Sequence, residues 1–183
     1  MYNQPYTNKQ INIPYLLKIG NGKIYKIGKY LKDKNLPGVA LFLGDGTEEL
    51  VGAELRRGFG DNDINVVHSQ VVSDISIESI TQTAFQLPPA TDVVVGIGGG
   101  KALDFAKYSA HLLRLPFVSV PTSTSNDGFC SPTSSLTVGG RRKTVKSSIP
   151  FGVVIDLDVI RSCPPVFFYS GLGDMVSKIT ALA

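Results

Sequence analysis

Histidine and cysteine are scarce: two of each occur in the 183 residues. The cysteines, Cys130 and Cys163, make no disulfide framework, which fits a reducing cytoplasm. No apolar run is long enough to span a bilayer, and the polar residues 1–10 lack the basic-then-apolar order of a signal peptide. Neither charge sign dominates. The net charge of +3 comes from 18 basic and 15 acidic residues scattered along the chain, which gives no warrant for a nucleic-acid partner. Internal repeats and low-complexity tracts are absent too. What remains is ordinary globular composition, 43% hydrophobic and 18% charged, in a length that suits one α/β domain with a buried core.

The chain is organised around Asp92-Val-Val-Val-Gly-Ile-Gly-Gly-Gly-Lys-Ala-Leu-Asp104. Residues 92–96 read as a buried strand, and residues 101–113 place Ala102, Phe105, Ala106, Ala110 and Leu113 at helical spacing. A glycine loop therefore joins a strand to a helix. The first N–H groups of a helix lack internal partners and lie at the positive end of its dipole, so they suit an anion such as a pyrophosphate. Side chains at Gly98, Gly99 and Gly100 would block that approach. A tight turn without a ligand is the plainer alternative. The loop is neither the ordinary dinucleotide fingerprint, since Lys101 takes its third glycine position, nor a Walker loop.

Around this centre strands and helices alternate. Strands are expected at residues 15–19, 39–43, 64–67 and 115–120, and helices at 24–34, 47–59 and 73–86. Thr47 is a possible cap of the second helix, and Ile75, Ile77, Ile80 and Phe85 are available for burial by the third. This alternation predicts a Rossmann-like α/β fold: a parallel sheet with helices on both faces and ligands beyond the carboxyl ends of the strands. Asp45 follows a strand by one glycine, where it is equally an adenosine-ribose acceptor or a turn residue. The loop Pro121-Thr-Ser-Thr-Ser-Asn-Asp127-Gly128 leaves the same sheet edge with many hydroxyls and one carboxylate. Residues 134–138 and 144–148 then predict a β-hairpin turned by Gly139-Gly140, with Arg141, Arg142 and Lys143 solvated at its tip. A further strand at 152–155 runs into Asp156-Leu-Asp158, a helix starts after Pro164, and the chain stops at Ala183 without a terminating signal. The expectation is a chain cut inside an element.

Four motifs in order resemble the metal-dependent polyol dehydrogenase superfamily, which includes iron-containing alcohol, glycerol and sn-glycerol-1-phosphate dehydrogenases and, more distantly, dehydroquinate synthases. They are Gly98-Gly-Gly-Lys-Ala-Leu-Asp104-Phe-Ala-Lys107, Val120-Pro-Thr-Ser-Thr-Ser125-Asn-Asp127-Gly128 with Ser131-Pro132, Asp156-Leu-Asp158, and Gly171-Leu-Gly-Asp174-Met-Val-Ser-Lys178. The stretch from Ser125 to Pro132 is most similar to the glycerol-1-phosphate dehydrogenase branch. The resemblance implies NAD(P) as cofactor, with the pyrophosphate on Gly98, Gly99, Gly100, Lys101 and Ala102, the adenosine ribose on Asp45, and Thr122, Ser125 and Ser131 beside the nicotinamide. It further implies that Asp127 binds the reacting end of the substrate, that Lys178 faces the substrate's phosphate, and that Asp174 is the first ligand of Zn²⁺, Fe²⁺ or Ni²⁺. A metal of this kind acts on the substrate oxygens as a Lewis acid. The reaction implied is reduction of dihydroxyacetone phosphate to sn-glycerol 1-phosphate, a step of phospholipid biosynthesis in the cytoplasm.

The chain departs from that pattern in one respect. Family members carry a second, helical domain with two histidine ligands after the aspartate, whereas His68 and His111 both precede Asp174 and read as structural. The expected division is residues 1–163 as the NAD(P)-binding domain and 164–183 as the beginning of a truncated metal-binding domain, inactive alone. Other readings stay open: a glycerol or other polyol dehydrogenase, a non-catalytic nucleotide-binding module, or a lyase of the dehydroquinate synthase type. An aspartate at position 45 would repel a 2′-phosphate, which favours NAD over NADP. A homo-oligomer also stays open, because apolar surface left by an absent domain would itself promote self-association.

Overall fold

The computed structural model describes residues 13–125 and 127–181. Six parallel strands form one sheet in the order β1-β8-β5-β4-β2-β3, with β1 Leu16–Gly20, β2 Gly38–Leu43, β3 Asn65–Val71, β4 Val93–Gly98, β5 Phe117–Pro121 and β8 Gly152–Asp156. Strands β2 and β4 are buried at every position, as expected of apolar strands covered on both faces. Because side chains alternate across a strand, each of these strands feeds two cores. Val39, Leu41, Leu43, Val93, Val95 and Ile97 pack on one side with α1 (Ile27–Lys32) and α2 (Thr47–Gly60). Ala40, Phe42 and Val94 pack on the other with α3 (Ile77–Gln86) and α4 (Gly100–Leu113). The predicted α/β fold is thus present, and strand order reverses between β2 and β4, where open α/β sheets leave a crevice.

Several element boundaries differ from expectation, each for a local reason. The first helix starts at Ile27, not residue 24, because the Ile24 amide donates to the buried Asp156 carboxylate at 2.8 Å and residues 21–26 form turns. It ends before Asn35, which adopts φ 58°. Thr47 is the first helical residue of α2 and caps nothing; the cap is Gly46 at φ 69°, a left-handed conformation that favours glycine. Helix α3 begins four residues later than expected. The Asp74 carboxylate accepts from the Ser76 amide at 2.9 Å and from its hydroxyl, Ser76 is extended, and its Oγ then accepts from the Ser79 amide. Ile80 and Ala84 carry the buried face of α3, while Phe85 is 71% exposed.

The hairpin consists of β6 (Thr133–Val138) and β7 (Arg141–Lys146), paired so that Val138 opposes Arg141. Gly139 (φ 57°) and Gly140 (φ 75°) make the two-residue turn alone, the positive-φ pair that matches strand twist. Arg141, Arg142 and Lys143 therefore lie within a strand and not at the tip. A short helix, α5 (Leu157–Ser162), which the sequence reading lacked, follows β8. The last helix, α6 (Pro165–Ala181), buries none of its residues and exposes Phe168, Tyr169, Met175 and Ile179.

Helices α1 and α2 cross at two glycines. A Cβ on Gly28 would overlap the Gly58 carbonyl, and one on Gly58 the Tyr25 carbonyl. Gly28→Ala is expected to cost about 1–3 kcal/mol in urea unfolding, as overpacked cores do. Gly60→Ala, where a Cβ meets nothing within 4 Å, is expected to be neutral or to stabilise by up to about 1 kcal/mol.

Candidate functional site

The site is built where the carboxyl ends of four strands are tied together by their backbones. The Gly44 amide donates to the Ile97 carbonyl at 2.9 Å, Thr122 to Gly98 at 3.1 Å, and Val72 to Leu43 at 2.8 Å. The turns after β2 and β4 approach so closely that a Cβ on Gly98, already at φ 143°, would lie 2.9 Å from the Gly44 nitrogen. Directly above, Gly99 precedes α4 without any side-chain cap, which leaves the first amides of the helix available to a ligand. A Cβ on Gly99 would meet no atom within 4 Å. That open space belongs to a cleft of about 1010 Å³ that gathers Asp45, Gly99, Gly100, Lys101, Ala102, Thr122 and Ser125. Gly98 is buried beneath the turn and supports the cleft without lining it. The group fits a dinucleotide: the amino end of a helix with no side-chain cap at Gly99 for phosphate, an exposed carboxylate at one end, hydroxyls at the other.

Ser131 is separated from Thr122 and Ser125. It lines a second pocket of about 320 Å³, together with Lys101, Asp104, Asp127 and Arg142. A third cavity, about 360 Å³ and largely apolar, lies between the Pro121 loop and α6, with Asp127, Asp174 and Lys178 on its wall. Asp127 borders both. Helix α6 reaches this place because Gly171 lets it approach the Thr124 carbonyl, where a Cβ would overlap. The Lys178 ammonium then sits between two carboxylates, 2.6 Å from Asp127 Oδ2 and 2.9 Å from Asp174 Oδ2, and the Asp127 amide also donates to Asp174 at 3.3 Å.

The hydrogen bond from Lys178 holds the Asp174 carboxyl below the usual carboxylate range, and the bonds to Asp127 and Asp174 raise the Lys178 ammonium above the usual lysine range. The signs set a window. A carboxyl lowered by folding contributes stability above its ordinary pKa of about 3.9 and loses it as pH falls through the folded value. An ammonium raised by folding contributes below about 10.4 and loses that contribution as pH rises through its folded value. The clasp between α6 and the loop therefore holds across neutral pH.

A metal fits less well than a dinucleotide. Among the described residues no group of three or more His, Cys, Asp or Glu converges on a common point. His111 Nδ1 lies 2.8 Å from Ser148 Oγ, and the His68 ring packs 5.5 Å from that of Phe42, so both histidines have structural surroundings. Asp174 alone would be one ligand of an incomplete set. The Asp156-Leu-Asp158 motif is also structural: Asp156 accepts from Ile24 and Asp158 amides, and Asp158 from the Asn21 side chain and the Gly22 amide.

The sequence reading gave no role to one group that the structure singles out. Lys107, on α4, is fully buried, and its Nζ donates to the carbonyls of Gly128 and Thr133 at 2.7 Å each, with Ser131 Oγ at 3.3 Å and Asp104 Oδ1 at 3.4 Å. Burial lowers the Lys107 pKa and raises that of Asp104. The available signal was a lysine on the same helical face as Leu103, Ala106 and Ala110.

Comparison with known proteins adds the context. The model of the family described as iron-containing alcohol dehydrogenase matches residues 18–164. Glycerol-1-phosphate dehydrogenase [NAD(P)+] of Metallosphaera sedula is 35% identical over 176 residues, covering 94% of this chain and 49% of that protein. The enzyme of the same name from Sulfurisphaera tokodaii is 31% identical over 173 residues, with the same coverage. Among solved structures, glycerol dehydrogenase from Schizosaccharomyces pombe superposes with a TM-score of 0.81 at 28% identity, over 92% of this chain and 43% of that one. The chain thus spans about half the length of the curated relatives it matches.

The ion triad makes a titration prediction. In ¹³C NMR of the aspartate carboxyls, Asp174 is expected to titrate below the usual range and to move up towards about 3.9 in Lys178→Met. An unchanged midpoint would show that Lys178 does not hold it.

Proposed function

The chain belongs to the iron-containing alcohol dehydrogenase family, and from that premise we propose that it is the nucleotide-binding part of an NAD(P)-dependent oxidoreductase acting on a CH–OH group. The observation that carries this reading is the cleft over Gly99, where helix amides, Asp45 and hydroxyls line one space of about 1010 Å³. In the proposed arrangement the amides of Gly100, Lys101 and Ala102 bind the pyrophosphate, with Gly99 clearing the approach and Gly98 letting the turn close against Gly44 beneath it. Asp45 accepts from the adenosine ribose, Thr122 and Ser125 orient the nicotinamide within the cleft, and Ser131 approaches it from the adjoining pocket that shares Gly100 and Lys101 with the cleft. The bound nicotinamide supplies hydride chemistry. Asp127 faces the reacting end of the substrate, and Lys178 its phosphate. The substrate we favour is dihydroxyacetone phosphate, reduced to sn-glycerol 1-phosphate, in keeping with the names of the curated relatives. Free, partly buried Cys130 and Cys163 support a reducing compartment such as the cytoplasm.

We assign residues 1–163 to the nucleotide-binding domain and 164–183 to the start of a helical one, a division supported by α6, whose described side chains are all unburied. The metal of this family, zinc, iron or nickel, would take Asp174 as one ligand and needs others from outside the described residues. The chain alone is accordingly inactive in this reading. A glycerol or polyol dehydrogenase is the alternative, favoured by the likeness to the Schizosaccharomyces pombe enzyme. In a preparation with a complete metal site, preference for dihydroxyacetone phosphate over free dihydroxyacetone separates the two.

Nucleotide fluorescence on this chain tests the cofactor site. NADH is expected to bind saturably, and Gly99→Val to raise its Kd at least about tenfold while leaving stability within about 0.5 kcal/mol. Absence of saturable binding, or a variant that binds like the parent, would remove the reading. NADPH is expected to bind more weakly than NADH, and Asp45→Ala to close that gap by relieving repulsion of the 2′-phosphate; equal affinities in the parent would show that Asp45 does not reach the ribose.

A further inference from the structure

Lys107 is buried without a part in the nucleotide contacts proposed above. Taking an ammonium out of water is unfavourable unless its N–H groups find acceptors. Helix packing alone would be served as well by methionine. The acceptors found are therefore informative: the carbonyls of Gly128 and Thr133, at 2.7 Å each, belong to the segment that carries Asp127 and Ser131. Asp104, one turn earlier on α4, completes the clamp, since its Oδ2 accepts from the Ser135 amide of β6 at 3.2 Å. The same helix presents its amino end to the cleft.

We propose that Lys107 is a positioning residue, whose ammonium fixes residues 128–133 against α4 and so sets Ser131 and Asp127 at a constant offset from the helix end that faces the pyrophosphate. This rests on reading the cleft as a nucleotide site. The clamp joins the phosphate end of that site to its reacting end through one rigid helix. Losing the ammonium takes the donor from α4 away from both carbonyls and leaves them only contacts made within the segment itself, from Ser131, so the segment loosens from the helix.

The test compares NADH with ADP-ribose, which lacks the nicotinamide, on this chain and its Lys107→Met variant. The NADH Kd is expected to rise about tenfold, while that of ADP-ribose stays within about twofold. In hydrogen exchange, amides of residues 128–135 are expected to lose protection at least about tenfold while those of β4 and α2 keep theirs. Lys107→Gln, which keeps N–H donors, is expected to restore part of both effects, and it serves alone if the methionine variant does not fold. Equal loss of both ligands, or protection lost uniformly, would make Lys107 merely structural and overturn the proposal; so would no change at all. Failure of the parent to bind either nucleotide would remove the cofactor reading, and the exchange data would still decide the clamp.

Discussion

Two backbones meet at Gly44 and Gly98 with no space for a side chain between them. The contact is held by the amide of Gly44 on the Ile97 carbonyl and extended by Thr122 on Gly98. With the turns after β2 and β4 closed in this way, Gly99 has one direction left, and the amino end of α4 opens into the cleft. The buried strands supply the stiffness behind it. Val39, Leu41, Val93 and Val95 fill one core while Ala40, Phe42 and Val94 fill the other, so displacing either strand would expose apolar surface on both faces.

The next level of organisation hangs from α4 itself. Its amino end fronts the cleft, its middle holds residues 128–133 through Lys107 and the start of β6 through Asp104 on the Ser135 amide, and that segment follows Asp127, which lies where α6 arrives. Helix α6 adds little apolar burial. It is positioned by the Gly171 approach to Thr124 and by Lys178 between two carboxylates, contacts that are geometrically specific yet exposed to water and salt. Buried strands and backbone contacts thus secure the turns after β2 and β4, whereas exposed ion pairs secure α6 against the Pro121 loop.

Much of this was legible in the sequence. The alternation of apolar strands with helices predicted the sheet, and three glycines between strand and helix marked the tight turn that leads into α4. What the sequence could not disclose depended on tertiary contacts. The start of the first helix moved because a carboxylate 132 positions away takes the Ile24 amide, and the basic run of the hairpin entered a strand because two glycines suffice to turn it. Residues 156 and 158 read as part of a family motif, but only the fold shows that they tie β8 to the turn after β1. Lys107 was hidden for a simpler reason: a lysine on a helix is usually solvated, and the two carbonyls that accept from it lie more than twenty residues away.

Whether the amino end of α4 receives the pyrophosphate of a nicotinamide nucleotide is read most directly by amide chemical-shift mapping of the ¹⁵N-labelled chain during NADH titration. The largest saturable shifts are expected on Gly99, Gly100, Lys101 and Ala102, with smaller ones at Asp45 and Thr122. Saturable shifts confined to another face, with these amides unmoved, would contradict it.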